Sequence, residues 1–187
     1  PDAAFEAEVT SGLMACFASH GYERVKPPLI EFEESLLSGV GATTTRDTFR
    51  LMDPVSQHMM GVRPDMTVQV ARIAATRLSQ APRPLRLCYA GQVLRARGTQ
   101  IQPERQLGQA GAELIGSAAV AADVEVVRLA VESLAGIGIE GITVDLNMPT
   151  LIVALMDDLE LDGAVAESLR VALDRKDATA VAAAGTS

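Results

Sequence analysis

The sequence predicts an α+β domain built on a mainly antiparallel sheet flanked by helices. Stretches of strand character follow one another through short loops, and stretches with 3.6-residue apolar spacing flank them. Neither a GxGxxG nor a GxxxxGK[ST] loop occurs, so neither a Rossmann nor a P-loop nucleotide site is expected. With 187 residues, 48% hydrophobic and 21% charged, the chain is one domain, or one domain with a small appendage, around a real core.

The elements follow in order. Phe5, Val9, Leu13, Cys16 and Phe17 share a helical face that stops at His20-Gly21, which predicts a helix over about residues 3–19. Residues 22–34 read as a short extended piece, broken by Pro27-Pro28 and resumed at Leu29. Residues 48–52 and 59–63 flank a turn at 53–57 and suggest a hairpin. Met66, Val70, Ile73, Ala74 and Leu78 give a helix that must end before Pro82. Two long strands, 83–97 and 104–116, are joined by residues 98–103. Val120, Val124, Val127, Val131 and Leu134 form the strongest helical stripe, Ile142, Val144 and Leu146 a period-2 one, and residues 149–184 are helical and alanine-rich.

Composition narrows the function. Sixteen Lys and Arg against twenty-four Asp and Glu give a net charge of −8, which argues against a broad nucleic-acid footprint. Four Phe, two Tyr and no Trp leave few platforms for stacking bases. No apolar run approaches the roughly 20 residues of a membrane span. The start PDAAFEAEV lacks the basic end and apolar stretch of a signal peptide, so a cytoplasmic protein is expected. Cys16 and Cys88 have no CxxC spacing and read as apolar thiols, while His20 and His58 stand alone; no metal and no cofactor is predicted. The charge is uneven. Between residues 46 and 105, ten arginines face four acidic residues, a net +6 that leaves −14 elsewhere. Arginine is suited to bidentate contact with carboxylate or phosphate, so this middle could hold a small anion or be a set of structural ion pairs.

In residues 105–116, Gln109, Gly111 and Glu113 fall on one face of the strand and Ala110, Ala112 and Leu114 on the other. Gln109 and Glu113 would stand roughly 13 Å apart with a glycine between them, which is space for a small ligand with two polar ends, such as an amino acid. A solvent-facing strand is the alternative. Asp65 and Thr67 sit at a helix start, where both are ordinary capping residues, but they could also receive an ammonium group if that start faces the same sheet.

RPDMTVQVAR (63–72), RPLRLCYAGQVLR (83–95) and ERQLGQAGAELIG (104–116) follow GYERVKPPLIEF (21–32) in this order. Together they resemble the core of histidyl-tRNA synthetase, a class II aminoacyl-tRNA synthetase. They are closer still to the regulatory subunit of ATP phosphoribosyltransferase, a paralogue used in histidine biosynthesis. The resemblance covers about residues 1–150. It implies a class II synthetase-like fold with a six-stranded antiparallel core over residues 1–187, cut short at its C-terminal end, with the helical segment 149–187 after the sheet. By position it implies that Asp65, Thr67 and Gln109 hold the α-amino end of L-histidine, that Arg95 meets its carboxylate or a phosphate, and that Glu113 reaches the imidazole. The Pro27-Pro28 segment matches the motif that builds the class II homodimer.

Departures from the synthetase pattern argue against catalysis, and no catalytic residue is assigned. The synthetases place an acid two positions after the motif arginine, where it helps to seat ATP; here that position is Arg97. The loop 98–102 lacks the family's arginine-proline pair, RPEGT has become RPDMT, and the third class II motif is expected beyond residue 187. The acidic balance argues against tRNA. The resemblance therefore implies a non-catalytic regulatory subunit, required for activity of the short-form catalytic subunit and for feedback by histidine. The alternative is a synthetase core that forms histidyl-adenylate from ATP and histidine.

Overall fold

A computed structural model describes residues 3–37, 46–98, 103–146, 149–159 and 161–184. The chain divides into two compact units, Pro1–Ile142 and Thr143–Ser187.

The first unit opens with helix α1 (Ala3–Ser19), which ends where Gly21 takes a positive φ of 79°. Strands β1 (Glu23–Arg24) and β2 (Ile30–Phe32) lie on either side of Pro27-Pro28, and a one-turn helix α2 (Glu33–Leu36) follows. The expected hairpin is β3 (Phe49–Met52) with β4 (Met59–Val62). Its turn is fastened by Asp53, whose carboxylate accepts from the backbone of Val55 and Ser56 and from the Ser56 hydroxyl. Helix α3 (Thr67–Ala75) precedes the two long strands β5 (Leu85–Leu94) and β6 (Gln106–Ile115), and α4 (Val120–Gly136) closes the unit.

Six strands are found among the described residues, but they form two three-stranded sheets, β1-β5-β6 and β2-β4-β3, and β1 runs parallel to β5. The single six-stranded antiparallel core is corrected to this pair. Arg63 follows β4 directly and bridges the two sheets. Its carbonyl accepts from Leu94 N–H at 3.1 Å, and its guanidinium donates to Gln92 O at 2.9 Å and to Pro27 O at 2.6 Å.

Each face of the larger sheet carries its own core. On one, Met66, Val70 and Ala74 of the α3 region pack on Leu87, Tyr89 and Val93; on the other, Phe17, Tyr22 and Leu129 enclose Cys88. Helix α4 turns a different side inward from the one its valine stripe suggests. Leu129 and Ser133 are buried, while Val120 is 76% and Val124 52% exposed. The cause is polar: Glu125, one turn before Leu129, is held by Arg86 at 2.6 and 2.7 Å and by the Tyr22 hydroxyl at 3.1 Å, which rolls the 125–129–133 stripe onto the sheet. Ile142, Val144 and Leu146 form no strand, and Val144 and Leu146 are exposed. Period-2 patterning needs an adjacent edge to pair with, and among the described residues none is paired with it.

The second unit holds α5 (Pro149–Asp158), α6 (Gly163–Asp174) and α7 (Ala178–Ala184), in line with the alanine-rich pattern. Asp162 caps α6 through Ala164 N–H, and Met156 and Ala172 are its buried residues among those described.

Candidate functional site

The antiparallel register sets Gln109 opposite Gly91, Gly111 opposite Tyr89, and Glu113 opposite Leu87. Directly opposed residues share a face, so Gln109, Gly111 and Glu113 look toward α3, with Tyr89 among them. The alternative of a solvent-facing strand does not hold, because α3 lies over this face.

Asp65 stands just before α3. Its Oδ1 accepts from Thr67 N–H at 2.7 Å and its Oδ2 from Gln109 Nε2 at 2.7 Å, while Gln109 Oε1 accepts from Met66 N–H at 3.0 Å. Asp65 therefore holds the backbone that enters α3 and at the same time reaches across to the sheet. Thr67 Oγ1 is 2.9 Å from the Tyr89 hydroxyl, which donates to Glu113 Oε1 at 2.9 Å. Four of the five expected residues, Asp65, Thr67, Gln109 and Glu113, thus join one hydrogen-bonded cluster. Arg95 stands at its edge. It is half-buried and shares with Gln109, Phe5, Glu6 and Gln106 an open depression of about 720 Å³.

The gap expected over Gly111 is filled. A Cβ there would fall 2.5 Å from Tyr89 Cζ and from its hydroxyl, so the phenol ring occupies the place of the missing side chain. Gly91 is used in the same way, with Arg63 Nη2 2.5 Å from where its Cβ would be. Tyr89 is the residue that the sequence reading missed. A signal existed in its position, since it is one of only two tyrosines and lies on a strand opposite a glycine. Burial, and then the charge and hydrogen bond of Glu113, hold its phenol far above the usual tyrosine range, against the opposing hydrogen bond from Thr67.

Most of the arginine surplus is structural. Arg50, Arg72 and Arg86 pair with Glu33, Glu31 and Glu125, all outside the arginine-rich middle, and Arg83 donates to Ala74 O. Arg105 lies 4.4 Å over the Phe49 ring, and its carbonyl accepts from Arg95 N–H. Arg63 is 6% exposed, and burial lowers its pKa from the ordinary arginine value. Arg97, at the position of the synthetase acid, is exposed; Thr99–Gln102 of its loop lie outside the described residues. Among the described residues, no three His, Cys, Asp or Glu side chains gather as a metal ion would need. Chemically, the cluster offers fixed carboxylates and hydroxyls that suit binding of a small polar molecule.

Known proteins share this fold. The family model described as histidyl-tRNA synthetase matches residues 1–187. The ATP phosphoribosyltransferase regulatory subunit of Rhodospirillum centenum is 62% identical over 99% of this chain and 48% of its own length. That of Paramagnetospirillum magneticum is 60% identical over 99% and 49%. The chain therefore spans about half the length of these relatives. A crystal structure of an ATP phosphoribosyltransferase regulatory subunit/histidyl-tRNA synthetase from Bacillus halodurans superposes with a TM-score of 0.77 at 27% identity, over 95% of this chain and 46% of that one. Histidyl-tRNA synthetase from a Nostoc species gives 0.75 at 15% identity, over 96% and 42%, and shares the fold. With a class II synthetase-like fold and a family model that matches its whole length, the chain belongs to the histidyl-tRNA synthetase family.

Proposed function

We propose that this chain is part of a non-catalytic regulatory subunit of ATP phosphoribosyltransferase, which binds L-histidine and acts on the short-form catalytic subunit in the cytoplasm. The observation that carries the reading is the 62% identity to a protein of that name over nearly the whole chain. Arg97 adds support, because a cation where the synthetases seat ATP with an acid disfavours adenylation. A regulator needs only a ligand that prefers one of two states, with coupling of about 1–3 kcal/mol. In this reading Asp65, Thr67 and Gln109 take the α-amino end of histidine, Glu113 takes the imidazole, and Arg95 takes the carboxylate.

The subunit acts as a homodimer in this reading. Register places Ile30, Phe32, Phe49, Leu51, Met60 and Val62 on one face of the β2-β4-β3 sheet, where Phe32 is 45% and Ile30 40% exposed. An apolar sheet face of this kind suits a second copy. No helix among the described residues is long and apolar enough to cross a membrane.

Mixing the protein with the short catalytic subunit should raise formation of phosphoribosyl-ATP, and L-histidine should lower it again. Glu113→Gln should weaken histidine binding by about tenfold or more in calorimetry, the loss of a charged hydrogen bond. Glu132→Gln should leave it unchanged, since Glu132 is occupied by His20 and Arg128 on α4. Equal effects would remove Glu113 from the site. The match to the synthetase family favours a second reading, a core that forms histidyl-adenylate. Adenylate made from ATP and histidine would refute the regulatory assignment in its favour.

A further inference from the structure

His20 ties the end of α1 to α4. Its Nε2 is 2.9 Å from Glu132 Oε2, and its Nδ1 is 3.0 Å from the carbonyl oxygen of Cys16, one turn back on α1. A carboxylate and a carbonyl only accept, so each ring nitrogen must donate. Ser19 does not relieve Nδ1. Its hydroxyl is 3.3 Å from that nitrogen but gives its hydrogen to Cys16 O at 2.7 Å, which leaves a lone pair toward the ring. The two contacts therefore coexist only in the imidazolium, with a hydrogen on both nitrogens. A neutral ring has one hydrogen, and the Glu132 anion keeps it on Nε2. Nδ1 then sets a lone pair against the Cys16 carbonyl, and that contact opens.

The groups around the ring fit this state. Cys16 O is among the last carbonyls of α1, where the helix dipole attracts positive charge. On α4, Glu132 is held below the ordinary carboxylate range, chiefly by its hydrogen bond from Arg128 at 2.9 Å, so it stays anionic where an imidazole takes up its proton. Glu125, two turns earlier, adds a second negative charge, itself paired with Arg86 of β5. On α1, burial and then Glu132 push the Cys16 thiol up, so it remains neutral. Strand β1 brings Glu23 and Arg24, both exposed. The pair lies at the rim of a core: Phe17 and Leu129, three residues before His20 and Glu132, are buried with Tyr22 and Cys88.

We propose that His20 is a pH-gated latch: as the imidazolium it ties the last turn of α1 to Glu132 of α4, and on giving a proton to solvent it lets go of the helix end and loosens the seam between the two helices. Histidine changes charge between about pH 5 and 8. The stabilisation is present at the acid end of that window and is lost as pH rises through it. One other histidine, His58 at the hairpin turn, titrates in the same window.

A double-mutant cycle of His20→Gln, Glu132→Gln and both together, read by equilibrium urea unfolding of the whole chain, tests it. Both side chains are partly exposed, so the variants should fold. The cycle cancels the pair with Arg128, which Glu132→Gln disturbs with or without His20. At about pH 5.5 the coupling should be a factor of about three to five in the unfolding constant, the upper range for an exposed ion pair. At about pH 8.5 it should fall to a factor of about 1.5 or less. The same change should persist in a His58→Gln background. Coupling of equal size at both pH values means that the neutral ring keeps both contacts and overturns the gate. No coupling at either pH overturns the latch, and disappearance of the change with His58→Gln assigns it to the other histidine and overturns it as well.

Discussion

Replacing Gly111 with alanine puts a methyl group 2.5 Å from Tyr89 Cζ and its hydroxyl and 2.9 Å from Cε2. The ring cannot yield within its pocket, because Tyr89 is 2% exposed and packs among Met66, Val70 and Val93. Overpacking of this kind costs about 1–3 kcal/mol. Moving the ring also parts the two 2.9 Å hydrogen bonds, each with a net worth of about 1 kcal/mol. Allowing for shared relaxation, the expected loss is about 2–4 kcal/mol, a urea midpoint lower by roughly 1–2 M at an ordinary m-value. Gly136→Ala is the matched control. Gly136 ends α4 with nothing within 4 Å of its would-be Cβ, so that change should be neutral or stabilise by up to about 1 kcal/mol. Equal midpoints for Gly111→Ala and the native protein in equilibrium urea unfolding would refute the claim that the phenol fills the glycine's place.

In the proposed homodimer, Phe32→Glu and Leu29→Glu, at side chains 45% and 42% exposed, should each shift the light-scattering mass toward that of a monomer; an unchanged mass counts against this face. Glu31→Gln should cost about 2–3 kcal/mol in thermal or urea unfolding, because one carboxylate holds Arg72 at 2.6 Å and Gln69 Nε2 at 2.7 Å at a largely buried position. Glu167→Gln, at an exposed pair on α6, should leave stability unchanged. Glu125 titrates below the ordinary carboxylate range, chiefly through its hydrogen bond from Arg86, so the native state binds fewer protons than the unfolded one. Its contribution should be complete above the unfolded value of about 4.3 and fade as pH falls through the lower folded value. A stability gap between native protein and Glu125→Gln that stays constant from neutral pH to acid would contradict this.

Local pattern was enough for α1, the β3-β4 hairpin, α3 and the two long strands, because spacing and breakers act over a few residues. What escaped was set by contacts distant in sequence. Gly111 read as a gap because its partner across the ladder is Tyr89, 22 residues away, and the connection over residues 95–105 is too long for a tight turn to fix the register in advance. The valine stripe of α4 was a sound period with the wrong inward face, since Arg86 and Tyr22 pull Glu125 toward the sheet and turn Leu129 with it. Pro27-Pro28 read as a break in a strand. Its carbonyls are acceptors for Arg63 and for Gln69, the latter at 2.9 Å, which sequence spacing does not reveal. At the site, residue types and face were legible for Asp65, Thr67, Gln109 and Glu113, whereas the phenol that links two of them was not.

Arg63 makes the two sheets answerable to one another. The acceptor for Leu94 N–H lies on Arg63, at the end of a strand in the other sheet, and the guanidinium of that same residue grips the carbonyl of Gln92. The amide proton of Leu94 is thus a built-in gauge. Its rate of exchange with solvent tracks how often the β2-β4-β3 sheet lifts away from β5, while its neighbours in the β5-β6 ladder report only on that ladder.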